Sequence, residues 1–212
     1  MCIRDRPVAG RGGATHTAFD LSEFQTPTTA AGEVTADQAW ERIAHFVERV
    51  IPAAEDAEVR VAIHPHDPGV PKGMGLDDRV LGDLAGLQKF CTLSNSPYHG
   101  LNFCQGCMQE SGASQQELLD AIHSLGAHKR LFLVHFRTVK GGPRKFREAF
   151  IDESDWDLLA LLQAYQAVGY EHMIVPDHYP KIPGDTTWGH QSRAYAVGYI
   201  KALIAATGGE TD

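Results

Sequence analysis

HMIVPDHYP, residues 172–180, is the stretch that decides how this chain is read. Three apolar residues, Met173, Ile174 and Val175, run into Pro176, and Asp177 and His178 then stand side by side. A short apolar run bounded by a breaker reads as a fully buried strand. Its far end carries two side chains that can ligate a metal or move protons. Three upstream segments share the design: RVAIHPHD with its tip at His64, LNFCQG at Cys104 and RLFLVHFRT at His135.

The segments between these strands carry helical periodicity. Thr35 and Gln38 form a capping-box signal, after which Trp40, Ile43, Val47, Val50 and Ile51 fall on one face. Residues 76–91 read as a second helix, striped by Val80, Leu81, Leu84, Leu87 and Phe90. Ser114 and Glu117 open a third, which Gly126 closes. Ser154 is the expected cap of a fourth, built on Trp156, Leu158, Leu161, Leu162 and Tyr165. A last helix runs through Tyr195, Val197, Ile200 and Leu203. Residues 137–153 read as a long loop, basic at Lys140, Arg144, Lys145 and Arg147, for which a solvated surface is a better reading than an anion-binding lid.

Strands alternating with helices imply a parallel sheet with right-handed crossovers. All four polar tips then lie on the C-terminal rim, where α/β folds place their sites. A full eight-unit barrel takes roughly 250 residues, and this chain supplies four units. The expected fold is therefore α/β, the C-terminal half of a (β/α)8 TIM barrel with four parallel strand-helix units. Residues 35–212 form that partial barrel. Residues 1–34 are expected to be an irregular N-terminal segment, in which 1–6 (MCIRDR) read as a translated adapter leader and Cys2 as meaningless.

The totals narrow the function. With 212 residues, 43% hydrophobic and 22% charged, the chain is long enough for one cored globular domain. A net charge of -8 disfavours nucleic acid and anionic membranes as partners. No apolar run is long enough to span a bilayer and no signal-peptide core follows the start. Four cysteines are too few and too unevenly spread for a disulfide scaffold, which suggests a cytoplasmic setting.

Taken singly, each tip has a plainer reading: a rim histidine, a small buried cysteine, an Asp-His turn. Four such residues on four consecutive strand ends point instead to a metal site. His64 and His135 would bind as neutral imidazoles, Cys104 as thiolate and Asp177 as carboxylate. The donor types suit zinc or iron, and the carboxylate also admits manganese. A zinc knuckle on Cys91, His99, Cys104 and Cys107 is the weaker competitor, since a single C-x2-C lacks a matching second pair. Packing is the simplest role for Tyr195 and Tyr199.

IHPHDP (residues 63–68), NFCQG (102–106), VHFRT (134–138) and PDH (176–178), in this order, resemble the mannonate dehydratase family. AWERIAHFVERVIPAAEDA before the first strand and YAVGYIKAL near the end strengthen the resemblance, which covers the chain from about Ala14 onward. It implies a barrel enzyme, a hydro-lyase using Mn2+ or Fe2+ to convert D-mannonate to 2-keto-3-deoxy-D-gluconate in hexuronate breakdown. The implied metal ligands are His64, Cys104, His135 and Asp177, and the implied catalytic residues are His178 and Tyr195 beside Asp177, with Tyr199 in reserve. Arg137 would hold the substrate carboxylate. The partner is a small sugar acid, and a homo-oligomeric full-length protein is compatible with this picture. The chain departs from the pattern at His66, where the family has an acid, and at His99, where an Asn is expected. A related metal-dependent sugar isomerase or epimerase, and an inactive half-barrel, are the alternatives.

Overall fold

A computed structural model describes residues 6–23, 34–69 and 79–209. Residues 1–5 of the supposed leader 1–6, including Cys2, lie outside them, as do Phe24, most of the loop after Pro68 and the expected start of the second helix.

Two four-stranded sheets organise the chain. The first elements are β1 (Arg6–Ala9) and β2 (Thr15–Asp20), followed by α1 (Ala36–Asp56), β3 (Val61–Ile63), α2 (Leu84–Cys91) and β4 (His99–Cys104). Then come α3 (Gln105–Glu110), α4 (Gln115–Ala127), β5 (Leu131–His135), β6 (Val139–Gly142) and β7 (Lys145–Glu148). The last elements are α5 (Leu158–Ala167), β8 (Ile174–Val175) and α6 (His190–Ala206). The order β3-β4-β5-β8 is wholly parallel, so the expected α/β architecture with its parallel sheet is present.

Both capping boxes form as the sequence predicts. Thr35 and Gln38 exchange bonds at the start of α1, as do Ser114 and Glu117 at α4. Each pair satisfies amide groups that a helix start leaves without partners. Val47, Ile51 and Ala54 bury the inner face of α1, which continues one turn past Pro52. Leu87, Leu101, Phe103, Ile122, Leu161 and Tyr165 are nearly inaccessible and belong to one core beneath the parallel sheet.

Several local expectations are corrected. Residues 7–34 are not all loop, because β1 and β2 pair antiparallel and β2 continues onto β7. The segment 137–153 is likewise no loop, for β6 and β7 complete that second sheet, ordered β1-β2-β7-β6. Phe19, Leu21, Val139 and Phe146 form its small separate core, with the Phe19 and Phe146 rings 5.3 Å apart. Its basic side chains meet acids: Lys140 pairs with Asp155, Lys145 with Asp20 and Arg147 with Glu153. The second helix starts at Leu84, where Asp83 accepts the Gly86 amide, and the fourth starts after Asp157 instead of Ser154. Ser154 bonds Thr138 and the Trp156 amide instead.

Candidate metal centre

Parallel register places the four tips together. Cys104 lies directly beside His135 across β4 and β5, and His135 pairs in turn with Val175 of β8, two residues before Asp177. His64 follows the last residue of β3. One donor atom from each of His64, Cys104, His135 and Asp177 lies within 4.8 Å of the other three. Donors about 2.0–2.3 Å from a shared ion are at most roughly 4.6 Å apart, so a spread bounded by 4.8 Å is close to that of a coordination shell and needs only a small contraction to become one.

The protonation pattern also fits a cation. Nδ1 of His64 stands 2.7 Å from the Pro65 carbonyl, so it carries the proton and turns the Nε2 lone pair toward the cluster. That Nε2 is 3.2 Å from Nδ1 of His135, which is itself 3.2 Å from Oδ2 of Asp177. On its other side, Nε2 of His135 is 3.1 Å from Nδ2 of Asn102, whose buried Oδ1 has no partner. Turning that amide over gives the oxygen to an Nε2–H and directs the Nδ1 lone pair of His135 inward, the tautomer ligation needs.

Charge accumulates accordingly. Burial pushes the Cys104 thiol up, but Cys107, the Arg137 charge, His135 and His64 outweigh it and hold the group well below an ordinary thiol. Burial likewise opposes ionisation of Asp177, yet its bond with His135 and the nearby His178 keep the carboxyl below its usual range. His135 answers both anions: burial lowers it, but Asp177 and Cys104 lift it to about 9. The result is a thiolate and a carboxylate beside the His64 imidazole and a His135 ring held protonated by both anions; a divalent ion would take over that compensating charge and leave His135 as a neutral ligand.

Asp177 takes a left-handed backbone conformation, φ 53°. Its carboxylate lies toward His135 and Arg137, while the next residue, His178, turns Nδ1 to Oε1 of Glu148 at 2.9 Å. His178 and Tyr195 line one cleft, together with Phe150, Pro176 and Ser192. Tyr199 instead packs against the core. The hydroxyl of Tyr195 is 3.5 Å from Nη2 of Arg11, which also grips Asp152 with two bonds. Burial and Asp152 raise the Tyr195 pKa.

Arg137, the expected holder of the substrate carboxylate, is engaged by the protein's own acids. Its side chain is 1% exposed and meets Glu110 at 2.7 Å, Asp67 at 3.2 Å, and Glu148 and Asp177 at 3.3 Å. A guanidinium so engaged holds protein carboxylates together and is not available as an open anchor for a substrate carboxylate. It also sits among Asp67, Cys107 and Glu110, a second group of convergent donors, and supplies there the positive charge a metal would bring. The knuckle reading falls as well: Cys91 and His99 join no donor cluster among the described residues, and His99 bonds the Phe90 carbonyl inside the core.

Sequence reasoning missed Glu110, Glu148, Asp67, Arg11 and Asp152. A faint signal existed for Glu148, since it shares the buried face of β7 with Phe146 at a spacing of two.

Comparison with known proteins agrees with this architecture. A mannonate dehydratase of Enterococcus faecalis is 33% identical over 201 residues, which cover 88% of this chain and 52% of that protein. Mannonate dehydratase 2 of Halalkalibacterium halodurans is 28% identical over 197 residues, 89% of this chain and 53% of the relative. The crystal structure of mannonate dehydratase from Streptococcus suis serotype 2 superposes with a TM-score of 0.86 at 23% identity, covering all of this chain and 64% of that one, a likeness of fold. The chain thus spans about half the length of the curated relatives it matches. Residues 11–210 match the model of the D-mannonate dehydratase (UxuA) family, and the chain belongs to that family.

Proposed function

We propose that this chain carries the metal-holding and proton-transferring part of a mannonate dehydratase, a hydro-lyase that converts D-mannonate to 2-keto-3-deoxy-D-gluconate in hexuronate breakdown. The observation that carries the reading is the convergence of His64, Cys104, His135 and Asp177 within 4.8 Å, on strand ends of a chain from this family. These four would hold Mn2+ or Fe2+, their two negative charges offsetting the ion's. When bound, the ion supplies Lewis-acid stabilisation of negative charge on substrate oxygens. The parallel order β3-β4-β5-β8, with a helix between each strand and the next (α5 coming after the β6-β7 hairpin), supports reading the domain as the C-terminal half of a (β/α)8 barrel. Free thiols at Cys91, Cys104 and Cys107 suit a reducing, cytoplasmic setting. No helix of the described residues is long and apolar enough to cross a membrane.

Eliminating water across C2 and C3 meets two obstacles. The C2 proton beside a carboxylate is weakly acidic, and hydroxide is a poor leaving group, so one group must take a proton and another give one. His178 and Tyr195 face the same cleft and fill these roles. A tyrosine whose pKa is raised by burial and Asp152 keeps its proton at neutral pH and suits the departing C3 hydroxyl. His178 then takes the C2 proton. In a full-length protein bearing this chain, His178→Asn or Tyr195→Phe lowers turnover by at least about 100-fold while metal content is retained. The assay follows the 2-keto-3-deoxy acid, which a sugar isomerase or epimerase does not form. Full activity in either variant removes that residue from the mechanism.

A further inference from the structure

The second sheet brings one acidic side chain to the proton-transfer residue. Glu148, the last residue of β7, is 1% exposed and stands 2.9 Å from Nδ1 of His178. The same carboxylate lies 3.3 Å from Nη1 of Arg137 through both oxygens. The Nε of Arg137 in turn meets Oδ2 of Asp177 at 3.3 Å, and that oxygen meets His135. A continuous path therefore runs from His178 through Glu148, Arg137 and Asp177 to the donor cluster. The backbone of Glu148 is held too, since its carbonyl accepts from Nδ1 of His16 at 2.7 Å and from Nη1 of Arg147 at 3.1 Å.

We infer that Glu148 is a positioning residue: its carboxylate fixes the tautomer and ring orientation of His178, so that the imidazole presents its Nε2 lone pair for proton transfer. This rests on the role given to His178 under Proposed function. A buried carboxylate accepts and does not donate, so Nδ1, 2.9 Å from Glu148, carries the hydrogen, whereas Asp177 Oδ2 stands 3.7 Å from Nε2, beyond hydrogen-bond reach. The neutral imidazole then has its basic site at Nε2, and the choice between tautomers is made before substrate arrives. Arg137 enforces the arrangement from the other side. It offers only donors, so both of its neighbours here must be acceptors.

That constraint gives the test its direction. In Glu148→Gln the amide oxygen turns to Arg137, and the amide nitrogen is left facing His178. A donor opposite Nδ1 moves the imidazole proton to Nε2 and removes the basic site from the cleft. The measurement is the imidazole nitrogen shifts of 15N-histidine-labelled, metal-free protein, with the His178 signals identified by their loss in His178→Asn.

The wild-type ring is expected as the Nδ1–H tautomer and the Glu148→Gln ring as Nε2–H. In the Mn2+-loaded enzyme the kcat of Glu148→Gln falls about 10- to 100-fold, with KM and metal content unchanged. An Nε2–H ring in the wild type overturns the inference without any variant, so a failure of Glu148→Gln to fold does not shelter it. An unchanged tautomer or an unchanged kcat in a folded Glu148→Gln protein overturns it as well. Full activity of His178→Asn defeats the proton-transfer reading alone, because the tautomer is read independently of turnover.

Discussion

At Arg137 a single buried guanidinium meets four carboxylates, of which Glu110 and Glu148 are closed to water and Asp67 and Asp177 are partly exposed. Glu110 and Glu148 are almost wholly buried, and such anions persist only beside a charge that compensates them. The sequence prepares this position at Gly106, where an added Cβ would fall 2.6 Å from both Cγ and Nη1 of Arg137. The glycine of NFCQG is therefore the gap through which Arg137 passes. Replacing Arg137 by leucine leaves two buried carboxylates without their cation. The expected loss is about 3–5 kcal/mol of folding free energy, read from urea unfolding. Arg137→Lys should not restore it, because one ammonium lacks the planar fork that reaches several acceptors at once. A loss below about 1 kcal/mol, the size of an exposed pair, would mean that the carboxylates do not depend on this residue.

Among the elements, α6 shows how a helix start is completed from outside. Its N-cap is Gly189, in a left-handed conformation that offers no side chain to the first amides. Asp185 does the work from the preceding turn, accepting from the amides of Gln191 and Ser192 at 3.0 Å each. Desolvation opposes the charge on this carboxylate, but the amide bonds prevail and hold its pKa at about 2, against 3.8 for an unperturbed aspartate. A depressed folded pKa contributes stability that is present above 3.8 and lost as pH falls through about 2. Hydrogen-exchange protection of the Gln191 and Ser192 amides should therefore decline across that window, and Asp185→Ala should abolish it at neutral pH. Protection that survives the substitution would show that the amides are held by something else. The cap was not legible because the Asp185 signal sits four residues before the N-cap position, Gly189. The strand ends were legible for the opposite reason: in a parallel sheet, a residue just after an apolar run must reach the same rim as its neighbours. His64, Cys104, His135 and Asp177 could be grouped from that rule alone. The strands β1, β2, β6 and β7 could not, since Gly, Thr and Arg dilute their alternation and the pairing that joins their two hairpins, β2 with β7, spans more than 100 residues. The acidic partners of Arg137 were legible only in part, because Glu148 lies on one of those unread strands and Glu110 on α3.

Over the whole molecule, the two sheets divide the labour. The parallel sheet gathers the donor cluster, and the antiparallel sheet carries Glu148 to His178. Among the described residues the parallel sheet ends at β3 on one side and β8 on the other, each paired with a single neighbour. An edge of this kind presents unpaired amide and carbonyl groups to any strand that approaches. The curated relatives are about twice as long as the matched region, and a barrel closed by further strands has no such edges. The 212-residue chain by itself is therefore expected to associate at micromolar concentration, with a light-scattering mass above its own 23.2 kDa. Ala62 is exposed at the centre of β3, clear of the core, so Ala62→Lys places a charge on that edge without disturbing the packing below. The substitution should lower the associated fraction while leaving the far-ultraviolet circular dichroism unchanged. A monodisperse 23.2 kDa species that unfolds cooperatively, before any substitution, would show that the edges are already protected and that the association argument fails.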